Sequence, residues 1–377
     1  RHRRSLQAPS EPVVGATVMP GDHVAVRWLG DVLVGLIELI PRPFTPTVIV
    51  DGCVHTDDVV DTRLVEELLS VHCPDLAADI VSAGYRIGGT APEGPTGEYT
   101  EAVGSDPAPA HRRTWITLRA DPMGTQRSAR RRDEGVPGII RYLVASTTRI
   151  ADALAAHGVD AVCARSFDDY DHAVEVSFVR ERWARIRGAD GFTSAYAAPG
   201  GPDVWWSVPA ARTITRVRVA CDVRPRSTVL LTTATKTKKP KGFTRVSGDQ
   251  RAALQGRTLV PDRHFQLPIG SAGILIGQTA SKYRVYLPFD DVDTGVTLGD
   301  ARTFSRFALR AAVAGGIVTL TTPFRDLAEL IGAQVGPQPK VTWPHATTYL
   351  EPHPGVERVV LRRDLLETPR HRQLPIQ

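Results

Sequence analysis

The sequence has no run of about 18 apolar residues, so no candidate membrane-spanning helix lies within it. It has four cysteines, Cys53, Cys73, Cys163 and Cys221, widely spaced and without a C-x-x-C pair. That spacing offers little to a zinc site or a disulfide framework and fits reduced thiols. Aromatic residues make up 6% of the chain, and the formal net charge of +5 is modest for 377 residues. A nucleic-acid-binding face needs basic charge concentrated among aromatics, so neither number favours one. No G-x-S-x-G, H-E-x-x-H or G-x-G-x-x-G occurs, which removes the commonest hydrolase, metalloprotease and dinucleotide signatures.

Two near-motifs need weighing. Gly277-Gln278-Thr279-Ala280-Ser281-Lys282 invites a phosphate-loop reading, but Lys282 does not follow a glycine and no Ser or Thr follows it. A hairpin turn is the expectation there. Asp168-Asp169-Tyr170-Asp171-His172 contains an Asp-x-Asp, by which a glycosyltransferase holds a divalent cation on a sugar nucleotide through hard oxygen ligands. Here the acids fall where a helix start belongs, with Ser166 as N-cap and negative charge facing the positive helix end. A structural reading is therefore preferred, and a nucleotide-sugar transferase using Asp169 and Asp171 is kept as the alternative. His55, His72 and His172 lie near acids or cysteines without metal-ligand spacing. No catalytic, cofactor-binding or metal site is assigned.

Hydrophobic residues at 42% support a sizeable core, and the length suggests two packed subdomains. Alternating runs predict strands at 22–28 and 32–39, joined through Gly30-Asp31. An amphipathic helix over 63–71, a strand over 77–87 and a Gly/Pro-rich loop over 88–95 follow. The central stretch 112–166 reads as a strand at 112–119, a flexible basic loop at 126–132, and a helix from Gly135 to His157-Gly158. A buried strand at 159–164 completes it. Pro137 suits a first helical turn, Gly158 suits a helix end, and Ile140, Leu143, Val144, Ile150 and Leu154 keep helical spacing. Strand–helix–strand is a crossover unit, which predicts a mixed or parallel sheet with helices on its faces. A helix is expected over 166–187 and loops over 188–209. Strands are expected at 213–219 and 228–233, and an exposed lysine run holds Lys236, Lys238, Lys239 and Lys241. The last third reads as a hairpin (273–277, 283–288) followed by helix 303–314, strand 317–321, helix 324–331 and strand 340–343. The fold class expected is α/β, with residues 13–210 and 211–377 as two subdomains and one sheet near 114–118, 159–164 and 317–321.

Three segments carry a family resemblance. "VAVRWLGDVLVGLIEL" near the start, "RTWITLRADP" with its arginine-rich loop and following helix, and "GILIGQTASKYRVYLPF" followed by "RFALRAAVAGGIVTLTTPFRDLAEL" are similar to segments of the EccE family. EccE is a membrane component of the mycobacterial type VII (ESX) secretion apparatus. The resemblance implies a non-enzymatic structural subunit of the inner-membrane complex, acting with EccB, EccC and EccD at the cytosolic face. It also implies a pair of N-terminal transmembrane helices. Arg1-His2-Arg3-Arg4 starts without methionine, and a basic cluster is typical of the cytoplasmic side of a membrane helix. Residues 1–12 are accordingly expected to be a linker after a removed transmembrane region. The candidate contact, with an acidic partner or with anionic headgroups, is the loop carrying Arg127, Arg130, Arg131 and Arg132.

Overall fold

The computed structural model describes residues 14–16, 24–89, 93–248, 250–352, 359–362 and 372–374. The expected linker 1–12 and its basic start lie outside those residues. The fold is mixed α/β. The helices described are α1 (Thr62–His72), α2 (Glu93–Val103), α3 (Pro122–Ala129), α4 (Gly135–Ala156), α5 (Asp168–Val174), α6 (Pro202–Ser207), α7 (Gln250–Leu254), α8 (Ala301–Val313) and α9 (Arg325–Ile331).

The largest sheet is organised around Val32–Leu39, His111–Ala120, Ala77–Tyr85, Arg212–Ala220 and Val223–Thr233, adjacent in that order. Val24–Leu29 and Val32–Leu39 form the expected hairpin, with Leu29 opposite Val32 and Gly30 supplying the left-handed turn at φ 68°. His111–Ala120 runs antiparallel to both Val32–Leu39 and Ala77–Tyr85. The crossover is present in altered form. Ala161–Cys163 comes out parallel to His111–Ala120, but Val32–Leu39 stands between them and pairs antiparallel with each.

Helices α1 and α4 cover one face of this sheet. Leu143, Val144, Ile150 and Leu154 of α4 are fully buried in one core cluster with Leu33, Ile37, Ile116 and Leu118, on the strands that α4 crosses, while α1 lies over Arg212–Ala220. Full burial of one such side chain contributes about 1.5–3 kcal/mol. The approach is close at Gly35, where a Cβ would lie 2.4 Å from Thr147 Oγ1. Helices α5 and α7 cover the opposite face, over Trp115, Val81, Ile214 and Leu230. A seven-stranded sheet in the last third packs with α8 and α9. It contains the parallel pairings, Thr294–Leu298 with Thr347–Pro352 and Ile317–Leu320 with Gln334–Val335.

Several sequence expectations are corrected. Residues 126–132 are not a flexible loop, because α3 occupies Pro122–Ala129 and a turn follows. The strand at 161–163 is half-buried rather than buried, since it shares an outer edge of Val32–Leu39 and leaves Val162 47% exposed. The helix at 168 stops at Val174, where Glu175 turns to extended backbone (φ −61°, ψ 129°). Arg180–Arg182 and Arg185–Gly188 then pair as a hairpin. Gly191–Ala197 is a strand of the large sheet rather than loop, and residues 93–103 of the Gly/Pro-rich region form α2. In both places pairing or packing with distant residues overrides local composition. Ile317–Leu320 belongs to a different sheet from His111–Ala120.

Residue 210 falls between α6 and the strand Arg212–Ala220, which pairs with Ala77–Tyr85 over eight residue pairs. Strands from either side of that point also pair elsewhere. Thr47–Val50 lies beside Arg284–Leu287, and Val59–Asp61 beside Gln266–Pro268.

Candidate interaction surface

The corner between α3 and α4 is tightly built. Asp121 caps α3, its carboxylate accepting from the Met123 backbone N–H at 3.1 Å, with Pro122 in the first turn. Ala129, 2% exposed, anchors the last turn in the core. The backbone N–H groups of Arg132 and Asp133 both donate to the Ala129 carbonyl, at 2.9 and 3.2 Å. Gly138 allows α4 to close on this turn, because a Cβ there would sit 2.1 Å from the Asp133 carbonyl oxygen. This rigid corner holds Arg127, Arg130, Arg131 and Arg132 exposed, and none of them is in an ion pair among the described residues. Cations at the end of α3 also face the negative end of its dipole.

The Asp-x-Asp acids are engaged by arginines. Both Asp171 carboxylate oxygens accept from Arg27, at 2.5 and 2.6 Å, and the Arg27 guanidinium lies 4.0 Å from the Phe167 ring centroid. Asp169 pairs with Arg113 at 3.2 Å, and Arg113 also contacts Glu38. The two acids start α5, and Tyr170 between them is buried against Trp115. Ser166 Oγ accepts from the Asp168 N–H at 3.4 Å, one residue earlier than a cap of the helix itself, since Phe167 occupies the cap position. Among the described residues no three His, Cys, Asp or Glu side chains converge where one metal ion could be held. His55 lines an open cleft of about 510 Å³ with Asp57, Asp203 and Gln266. None of the four cysteines is in a disulfide among the described residues, and burial pushes the Cys73 thiol up to about 12.

Two charged clusters were not legible in the sequence, because their members meet only through strand register. Asp79, fully buried, lies opposite Arg218 and Thr117 on neighbouring strands. It accepts from Arg218 Nε and Nη2 at 2.5 and 2.8 Å and from Arg216 Nη1 at 3.0 Å, with Arg119 at 3.5 Å. Burial alone would raise its pKa, but the hydrogen bonds and charge of Arg218, with Arg119 and Arg216, hold it at about 2. The second cluster ties the large sheet to the last third of the chain. Ser271 Oγ donates to Asp290 at 3.0 Å and accepts from the Arg112 N–H at 3.0 Å, while His111, stacked on Tyr85, contacts Asp290 at 3.1 Å. Burial pushes neighbouring Asp291 up to about 7, helped by the Asp290 charge. Arg112, enclosed beside Trp206, is pushed down to about 9 by burial, with the Asp58 charge opposing.

No described helix is long and apolar enough to cross a membrane. The family model described as "Putative type VII ESX secretion system translocon, EccE" matches residues 108–198, the stretch that holds the α3–α4 corner and the Asp-x-Asp. The chain is 66% identical over 376 residues to the ESX-1 secretion system protein EccE1 of Mycobacterium tuberculosis, covering all of this chain and 81% of that protein. It is 61% identical over 377 residues to EccE1 of Mycolicibacterium smegmatis, again covering 81% of the relative. Identity falls to 26% over 345 residues with the ESX-2 secretion system protein EccE2 of Mycobacterium tuberculosis. Two-thirds identity along the whole length leaves no room for a different fold or a different lineage: the chain belongs to the EccE family of ESX secretion-system proteins.

Proposed function

We propose that this chain is a structural subunit of a type VII secretion complex, of the ESX-1 type, and that it has no turnover of its own. The observation that carries this reading is the 66% identity to an EccE1 over the full chain, against 26% to an EccE2. The site chemistry agrees with a structural role. Asp169 and Asp171 are neutralised by Arg113 and Arg27 rather than left open to a cation. The chain works at the cytosolic face of the inner membrane, its large sheet tied to the last third through Arg112, Ser271 and Asp290. Its partners there are the other core-complex subunits of the EccB, EccC and EccD type. No nucleic acid is engaged. The α3–α4 corner is the contact proposed for an acidic partner surface, because four exposed guanidiniums, in no ion pair among the described residues, stand on a backbone that needs no ordering on binding.

The test is made in cells. Deleting the gene for the full-length protein abolishes export of the system's substrates, and reintroducing it restores export. Arg130→Glu with Arg131→Glu and Arg132→Glu reduces co-purification of the other subunits while leaving the thermal melt unchanged. Export that continues undiminished in the deletion strain would refute the subunit assignment. Undiminished co-purification of the charge-reversed protein would refute the contact alone.

A further inference from the structure

The far end of the large sheet carries a second basic surface, built differently from the α3–α4 corner. In the hairpin of Arg180–Arg182 and Arg185–Gly188, Arg180 lies opposite Arg187, Arg182 opposite Arg185, and Glu181 opposite Ile186. Residues opposite one another in an antiparallel pair project from the same face. All four arginines therefore share one face. Glu181 and Ile186 share the other, where Ile186 is 1% exposed and the Glu181 carboxylate accepts from the Arg251 N–H of α7 at 3.0 Å.

The next strand continues the arginine face. Phe192 lies opposite Arg187, and its ring centroid is 5.9 Å from the Arg185 guanidinium and 5.8 Å from the Lys236 ammonium. Lys238, Lys239 and Lys241 follow in the same exposed segment. Phe192 is also opposite Thr233, two residues along from the core residue Leu231. This is thus the face that α1 and α4 cover over the middle of the sheet. At the hairpin no helix among the described residues covers it, and Arg180, Arg182 and Arg187 are exposed.

Trp183 stands at the turn between the two strands, 75% exposed. Its carbonyl accepts from the Gly248 N–H at 2.7 Å, and its ring lies on Gly248, where a Cβ would approach to 2.7 Å. The indole is therefore held at the apex of the hairpin rather than swinging freely, yet presents most of its surface outward. Neither the four arginines nor the four lysines take part in an ion pair among the described residues.

We propose that this hairpin is a contact with an anionic lipid surface, in which Trp183 enters the headgroup region and the surrounding cations meet lipid phosphates. An indole has an apolar body and one polar N–H, which is why tryptophan settles at membrane interfaces. Arginine and lysine stems can lie along the apolar layer while their charged ends stay with the phosphates. A convex turn with one aromatic ring at its apex suits a laterally fluid surface. Single-stranded nucleic acid would need a row of open aromatic faces for successive bases to stack on; here Trp183 stands alone at the apex, and the Phe192 ring already has cations beside it. The inference goes beyond the secretion-subunit assignment and does not depend on it.

The test is co-sedimentation of the 377-residue chain with vesicles of phosphatidylglycerol and phosphatidylcholine, compared with phosphatidylcholine alone. The expected result is binding to the anionic vesicles only, weakening steeply as salt rises. Trp183→Ala and the quadruple change of Arg180, Arg182, Arg185 and Arg187 to Gln each lower binding about tenfold or more, as expected when near-surface contacts are removed. Their thermal melts match wild type, because none of these side chains is in the core. Absence of wild-type binding to anionic vesicles, or equal binding by the variants, overturns the proposal. So does tighter binding to an acidic peptide or to oligothymidylate than to the vesicles.

Discussion

Replacing Asp79 by Asn tests the ionic centre of the large sheet. The carboxylate has no exposure and faces three guanidiniums, of which that of Arg216 is only 4% exposed. Arg218 binds it side-on through two nitrogens and also donates to the Gly256 carbonyl at 2.8 Å. A Cβ at Gly256 would lie 2.4 Å from Arg216 Nη1, so the arginines cannot spread apart without moving backbone. The amide can accept hydrogen bonds but carries no charge, leaving like charges facing one another in a dry site. Removing one partner of a buried ion pair costs about 3–5 kcal/mol. For a sheet of this size that is a fall in melting temperature on the order of 10 °C. Because the folded Asp79 is held at about 2, against an ordinary value of 3.8, its contribution is complete above pH 4 and is lost as pH falls through 2. The span of about two pH units corresponds to about 2.5 kcal/mol. Melts followed by far-ultraviolet circular dichroism should show the large deficit of Asp79→Asn at pH 7. The gap should narrow toward pH 2. Replacing Asp79, Arg216 and Arg218 together by Leu, Met and Met should recover most of the loss, as apolar replacement of a buried ionic group can. An Asp79→Asn protein that melts within 2 °C of wild type at pH 7 would refute the view of this cluster as a tightly coupled buried charge centre.

Three further outcomes follow from the same geometry. Leu143→Asp, at a position with no exposure under the large sheet, should unfold α4 from the sheet at a cost of several kcal/mol, read as loss of the cooperative melt. Asp291→Asn should stabilise the protein at pH 8 and change nothing near pH 4. The folded Asp291, raised to about 7, contributes stability below pH 4 that is lost as pH rises to 7, and parallel wild-type and variant pH profiles would contradict this. Asp169→Asn with Asp171→Asn should leave calorimetric titrations with manganese and a nucleotide sugar without heat, as for wild type. It should still lower stability by about 1–2 kcal/mol through Arg27, whose bidentate partner is lost. Manganese binding that disappears in the double variant would restore the transferase reading.

Much of the local structure was legible because it is written in short-range pattern. The alternation at 24–29 and 32–39 with Gly30 between them fixes a hairpin, and the spacing of Leu143, Val144, Ile150 and Leu154 fixes the face of α4. Helix starts marked by a single residue were harder to weigh. Asp121-Pro122 marks the start of α3, a short local cue beside the strongly basic composition of 126–132. The candidate surface at Arg127 to Arg132 was visible as composition; that a rigid corner presents it was not. Strand Gly191–Ala197 and the arginine hairpin have weak patterns of their own, and exist because Val223–Thr233 offers an edge to the first and the first offers an edge to the second.

Family membership was determined by the sequence itself, since the motif-bearing segments lie along the whole chain. The tertiary structure decided which charges meet. Asp79 is about 140 residues from Arg216 and Arg218, and Asp171 is 144 residues from Arg27. Local periodicity determines which face of an element is apolar, but it contains nothing about which strands become neighbours or in what register. A one-residue slip in that register would move Asp79 to the opposite face, so the ionic centre is a property of the assembled sheet and not of any segment within it.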